Sequence, residues 1–289
     1  MKAGVSSYSF SQAINAGKLA LGDVPNKAAE MGFCAMDFTD AHVTNEGDPK
    51  ERAQFLKDRC AEAGIEIVNF AVGGDFFRTS DYRDEVERLK KMVDLAAILG
   101  APCMRHDLTY GLPKDGSART FYETLPILAA GAREVSLYAA DKGIRTASEN
   151  HGFFMQDSLR LEQMVSQVNC ANYGLLIDVG NFACADEDSV LAVSRLAPFA
   201  FHVHVKDFFI KRGREAAEMQ GQGWFRTRGG NALRGTVLGH GAIPVAQCLH
   251  ILKAAGYGGA VGLEFEGIED CLTAVQWSAD NLKVMLSGL

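Results

Sequence analysis

No apolar stretch in this 289-residue chain approaches the ~20 residues that span a bilayer. The opening residues, Met1-Lys2-Ala3-Gly4-Val5-Ser6-Ser7-Tyr8, have no signal-peptide core and read as a strand, so the expected location is the cytoplasm with no membrane partner. The seven cysteines run from Cys34 to Cys271 without a Cys-x-x-Cys pair, and an odd, scattered set fits small buried side chains in a reducing compartment better than a disulfide framework. A basic surplus is missing too: 29 Lys and Arg stand against 36 Asp and Glu, for a net charge of -7. Phosphate-backbone binding rests on clustered cations, so no nucleic acid is expected as a partner. Neither a phosphate loop, a Gly-x-Ser-x-Gly elbow nor zinc-finger spacing occurs. Gly239-His240-Gly241 lacks the third glycine and the preceding strand of a dinucleotide fingerprint. No Pro/Ser-rich linker breaks the composition, which favours one domain over residues 1–289.

What is present is an average globular balance, 47% hydrophobic and 22% charged, enough for a large core. Short apolar runs at 2–8, 33–38, 65–71, 102–106, 144–149, 174–178, 200–206 and 260–265 alternate with amphipathic segments. Eight strands separated by helices predict an α/β fold, a closed (β/α)8 TIM barrel. The segment 81–99 spaces Val86, Leu89, Val93 and Ala96 as one helix face and stops at Gly100. Residues 243–255 form another helix, with Pro244 in its first turn and Gly256 past its end. A third, over 118–140, contains Pro126 and Gly131, where a kink or break is expected.

Four strand ends in the second half carry residues able to hold a divalent metal: Glu149, Asp178, His204 and Glu264. The first three lie about one strand, one helix and two short loops apart, which returns successive strands to the same end of a parallel sheet. The gap before Glu264 is about twice as long, and residues 207–242 supply the excess as an aperiodic insertion between strand seven and its helix, rich in Arg and Gly. An insertion at that end builds a lid, a pocket wall or a subunit contact, the last implying a homo-oligomer, and its alternative is a solvated loop. Parity supports the set. In Phe201-His202-Val203-His204-Val205-Lys206 and Val261-Gly262-Leu263-Glu264-Phe265-Glu266 one face is apolar, so His202, His204, Lys206, Glu264 and Glu266 face the barrel axis. Leu175, Ile177 and Val179 leave Asp178 inward in the same way.

Any one inward carboxylate is explained as well by a structural ion pair, whereas four in phase point to a site. Three carboxylates and one imidazole make a hard, mostly oxygen donor set, favouring Mn2+ first and then Mg2+, Co2+ or Zn2+ as a single cofactor. Such an ion polarises a hydroxy-ketone and acidifies the adjacent C–H. Glu149 and Glu264, on the strands flanking the ligand arc, are the candidate catalytic pair that removes and returns the proton. Lys206 is a candidate for substrate oxygens or enolate charge, its alternative being a salt bridge to Asp207 or Glu266. Tyr8, His106, His151, Asn181 and His202 complete the candidate substrate-binding residues; Asn181 could instead orient a ligand, and His202 a second layer. Asp37 and Asn69 are expected in the pocket wall. His42, His240 and His250 read as ordinary loop or helix residues.

At Ser148-Glu149-Asn150-His151-Gly152, Leu176-Ile177-Asp178-Val179-Gly180-Asn181, His202-Val203-His204-Val205-Lys206-Asp207 and Gly262-Leu263-Glu264-Phe265-Glu266 the chain resembles the xylose isomerase-like barrel superfamily, nearest its sugar phosphate isomerase/epimerase group. Val5 to Phe10 looks like that family's first strand, and Gly239 to Pro244 like its Gly-x-Gly turn into the seventh helix. The resemblance implies one divalent metal on Glu149, Asp178, His204 and Glu264 and enediolate-type proton transfer on a ketose. Many ketose epimerases have a histidine where Asn181 stands. The repair nucleases of the superfamily carry further histidines for a trinuclear site, whereas here Asn69 occupies strand three. The expected function is a metal-dependent isomerase or epimerase of a small-molecule sugar, a ketose or keto-cyclitol. The alternatives are a lyase or dehydratase on a keto-sugar by β-elimination, and a non-catalytic sugar-binding barrel.

Overall fold

A computed structural model describes residues 1–219 and 221–289. Eight parallel strands close into a barrel: β1 (Lys2–Ser6), β2 (Ala35–Thr39), β3 (Glu66–Val72), β4 (Cys103–His106), β5 (Arg145–Glu149), β6 (Tyr173–Asp178), β7 (Ala200–Val205) and, after an insertion carrying β8 (Asp207–Lys211), β9 (Phe225–Arg226) and β10 (Ala232–Thr236), β11 (Ala260–Leu263). The barrel order is β1-β11-β7-β6-β5-β4-β3-β2, each strand beside its successor, with β11 closing on β1. Every run read as a strand is one of these eight, within two residues at each end. The first ends two residues early, because Ser7 and Tyr8 turn away in a 3-10 helix, Ser7–Phe10, capped by the Ser6 hydroxyl.

Local chemistry sets the helices between them. Asp81 accepts the Arg83 N–H at 2.9 Å to open Tyr82–Leu99, and Gly100 ends it at φ 82°, a left-handed conformation that favours glycine. Thr120 and Glu123 cap each other reciprocally at the start of Phe121–Ala140. The break expected in that helix is absent, since one helix runs through both Pro126 and Gly131. Pro126 lies in the second turn, where its missing N–H strands only the carbonyl four residues back. Gly131 serves packing: a Cβ there would lie 2.6 Å from the Phe76 ring.

In-register pairing carries side-chain direction around the barrel. Arg105 pairs with Ala147, Glu149 with Leu176, Asp178 with His204, and His204 with Gly262, so these positions share the inner face. Cys103, Ala147 and Leu176, with Phe201 against them, plug the interior as a small cluster apart from the main core. That main core lies between the strands and the helices and includes Met104, Leu175, Ile177, Val203 and Leu263.

The insertion folds as a three-stranded antiparallel sheet of order β8-β10-β9 with a short helix, Gly213–Glu218. Asp207 ties its two ends together. Its carboxylate accepts the N–H groups of Phe208, Gly239, Gly241 and Ile243 at 2.9 to 3.0 Å. Gly235 forms a parallel bridge with Gly267, and a side chain there would run into the Glu266 backbone at 2.6 Å. No helix among the described residues is long and apolar enough to cross a membrane.

Candidate metal centre

Glu149 ends β5, Asp178 ends β6, His204 lies one residue from the end of β7, and Glu264 follows β11 directly. All four are buried, and one ligand atom from each lies within 4.8 Å of the others. Such convergence of like charge needs local scaffolding, which each strand end supplies. The Asp178 Oδ1 accepts the Gly180 and Asn181 N–H groups at 2.8 and 3.0 Å, leaving Oδ2 to the centre. Asn150 brackets the same strand end: its Oδ1 accepts the Asp178 N–H at 2.9 Å, and its Nδ2 donates to the Asp178 carbonyl at 2.8 Å. Glu149 accepts from Asn181 Nδ2 at 3.0 Å on Oε1, while Oε2 pairs with the Arg105 guanidinium. His204 donates from Nε2 to Asp37 Oδ2 at 2.8 Å, which turns Nδ1 toward Glu264 Oε1, 3.3 Å away.

The donors fit a divalent cation on two grounds. Glu149 Oε2, Asp178 Oδ2 and His204 Nδ1 are buried without a well-formed hydrogen bond and are left with ion-pair contacts only. Chemically, three carboxylate oxygens and one imidazole nitrogen converge from four separate strands. The protonation balance agrees. Burial raises the Asp178 pKa to about 6, with the charges of Glu149 and Glu264 adding to the rise against the pull of Lys206. Burial would lower that of His204, yet the carboxylates of Asp37 and Glu264 more than reverse it, to about 10. For Glu264, burial is outweighed by Lys206 and His204, which hold its carboxyl well below the usual range. Of the four, His204 is the residue held protonated by its carboxylate neighbours, and its Nδ1 proton would be displaced by a cation.

Lys206, just past β7 and buried, reaches Asp178 Oδ2 at 3.1 Å and both Glu264 Oε2 and Glu266 Oε1 at 2.7 Å. Its salt bridge is thus to Glu266 and two of the candidate ligands, since Asp207 is used by the insertion. Asn181 is turned to Glu149 and orients that candidate ligand. His151 stands at the rim, its Nδ1 3.0 Å from Asp107 Oδ1 and its side chain 41% exposed. Tyr8 is 42% exposed at the opposite rim, with Glu266, Lys206 and Glu264 as its charged neighbours.

Two candidates lie elsewhere. His202 sits a layer below His204, their ring centroids 5.1 Å apart, and burial pushes its pKa down to about 3, so it is a neutral interior residue. His106 pairs in register with Val72, on the outer face. It packs edge-on to Phe76 with centroids 6.0 Å apart, because strand alternation turns its neighbour Arg105 inward instead. Arg105 is the main residue missed from sequence, although parity from Glu149 through β4 would have found it. It pairs with Glu149, reaches Asp107 Oδ2 at 3.4 Å and donates its backbone N–H to Asn69 Oδ1 at 3.1 Å. Asp107 and Asn150 were missed with it, as loop residues without a periodic signal.

The insertion forms a wall over the β5, β6 and β11 side of the mouth. Arg228 binds Asp157 Oδ2 at 2.9 Å and the Phe153 carbonyl, Asn231 Nδ2 binds Asp186 Oδ1 at 2.7 Å, and Thr236 donates to Glu269 at 2.9 Å. Phe153 holds a φ of 63°, a strained conformation for a non-glycine residue in the loop that carries His151.

A family model described as xylose isomerase-like TIM barrel matches residues 25–287. No curated protein matches the chain. Among solved structures, the IOLI protein with a binding zinc atom is 16% identical, with a TM-score of 0.74 over 100% of this chain and 99% of that one. D-psicose 3-epimerase from Clostridium cellulolyticum H10, solved with D-tagatose, is 15% identical, with a TM-score of 0.73 over 99% of each chain. The probable 3-DHS dehydratase AsbF of Bacillus anthracis is 16% identical, with a TM-score of 0.73 over 98% of this chain and 99% of that one. At these identities the likeness is one of fold.

Proposed function

Because the chain belongs to the xylose isomerase-like TIM barrel family, we propose that it is a divalent-metal-dependent isomerase or epimerase acting on a ketose or keto-cyclitol through an enediolate. The observation that carries this reading is the placement of Glu149 and Glu264 on opposite flanks of Asp178 and His204, all four ligand atoms mutually within 4.8 Å. The bound ion, Mn2+ by preference, would polarise the substrate carbonyl and acidify the adjacent C–H. Glu149 and Glu264 are then the bases on either side of that carbon, one removing the proton and the other returning it. Asn181 holds Glu149 by one oxygen, so its carboxylate keeps a single orientation through the transfer. Lys206, whose pKa is driven well above the ordinary lysine value by Asp178, Glu264 and Glu266 despite its burial, stays a fixed cation beside the developing enolate charge. Tyr8 and His151 line the rim where the rest of the sugar would lie. The expected ligand is a small-molecule sugar.

Incubation of the Mn2+-loaded protein with a panel of ketoses and ketocyclitols in deuterium oxide tests the reading. Deuterium enters the carbon next to the carbonyl in at least one of them; absence of exchange across the panel refutes it. A lyase reading has its own support in a proton donor beyond the two glutamates. The Asp107-bound His151 at the rim could protonate a leaving group during β-elimination. Loss of water or an aglycone, read by mass, selects that course over proton return.

A further inference from the structure

Resting on the metal reading above, we propose that Asp37 is a positioning residue of the metal centre, fixing which nitrogen of His204 is offered as a ligand. Both side chains are fully buried, and among the described residues the only hydrogen-bond partner of the His204 Nε2 is Asp37 Oδ2 at 2.8 Å. A carboxylate accepts only, so Nε2 must carry a proton, and Nδ1, which faces the three carboxylates, is the nitrogen that a metal ion there would take. The same arrangement raises the basicity of the imidazole as a donor.

Two backbone features adjoin this contact. β2 and β3 pair Met36 with Ile67 but Asp37 with Asn69, so Val68 is an extra residue, a bulge at this register. Without it the apolar face of β3 would continue past Ile67, and Asn69 would leave the inner face shared by Asp37 and Ser6. Opposite, the missing side chain of Gly262 makes the space: a Cβ there would stand 2.9 Å from His204 Cδ2 and 3.2 Å from Asp37 Oδ1. Asp37 Oδ1 has no hydrogen-bond partner, so among the described residues the contact of Oδ2 with His204 is the carboxylate's one hydrogen bond.

The test uses the full chain with Zn2+ as the probe. Dissociation constants are measured by competition with a chelating dye for the wild type, Asp37→Asn and Asp37→Leu, with far-UV circular dichroism as the check on folding. Affinity should fall about 10- to 100-fold, more for Asp37→Leu, which loses the acceptor, than for Asp37→Asn, which keeps a weaker one. Long-range proton–nitrogen NMR of the histidines in the Zn2+-loaded wild type should show His204 protonated at Nε2 and metallated at Nδ1. Folded variants that bind Zn2+ as tightly as the wild type overturn the proposal, as does a proton on Nδ1. The NMR result decides the matter if either variant fails to fold. A wild type that binds no Zn2+ overturns the underlying metal reading, a distinct outcome.

Discussion

Lys206→Met should tighten metal binding while destabilising the metal-free protein. The lysine is only 3% exposed and lies 2.7 to 3.1 Å from carboxylate oxygens of Asp178, Glu264 and Glu266. At an effective dielectric of about 20, one such pair at 3 Å has a gross Coulomb energy of roughly 5 kcal/mol, most of it offset by desolvation. Removing one partner of a buried pair costs about 3–5 kcal/mol net, because the remaining charges are left uncompensated. In the metal-free protein this should lower Tm by roughly 6–20 °C, taking about 2–4 °C per kcal/mol for a large domain. A divalent ion among the same carboxylates supplies the missing charge, so the loaded variant recovers part of the loss. By linkage, each 1.4 kcal/mol recovered is a tenfold gain in metal affinity. A gain of about 10- to 100-fold is expected. Differential scanning fluorimetry with and without Mn2+ and a chelator titration supply the two sides of the cycle. An equal or weaker metal affinity in the variant, with apo stability unchanged, would refute the view that Lys206 and the cation share one set of carboxylates.

Chelation of the wild type should lower Tm by about 5–10 °C and added Mn2+ restore it, since an ion at ~100 times its Kd stabilises by about 2.7 kcal/mol. Glu264→Gln should abolish deuterium exchange into substrate, a loss of at least ~100-fold in rate, and its retention would remove Glu264 from proton transfer. His106→Ala should lose stability, by ~2 kcal/mol from its packing against Phe76, yet keep the wild-type KM, because its ring lies outside the strands. Gly131→Ala should cost about 1–3 kcal/mol in urea unfolding, by overpacking the Phe76 ring 2.6 Å from the added Cβ.

Where periodicity existed, the sequence was legible. The eight strands and the inward set Asp178, His204 and Glu264 were readable because alternation along a strand is local and survives without knowledge of neighbours. Glu149 was found by position at a strand end, and the structure joins it to the other three. Residues whose direction depends on a neighbouring strand were harder. In β4 four residues gave too short a pattern to orient, and the more reactive-looking His106 displaced Arg105. Asp37 was placed only in the pocket wall, since its partner His204 is remote in the chain and meets it through barrel closure. Pro126 and Gly131 were read by intrinsic propensity, which position in the second turn overrode for the first and packing against Phe76 for the second.

The sequence by itself determined the fold class and the four convergent strand ends, because hydrophobic alternation, helix caps and strand spacing are properties of short segments. Only the tertiary structure decided which groups those four residues lean on: Asp37 behind His204, Asn181 and Arg105 behind Glu149, and Lys206 between Asp178 and Glu264. It also turned an aperiodic, Arg-rich insertion into a docked wall. Those contacts join residues distant in the chain, and their geometry is set by the register and closure of the barrel, which no local pattern encodes.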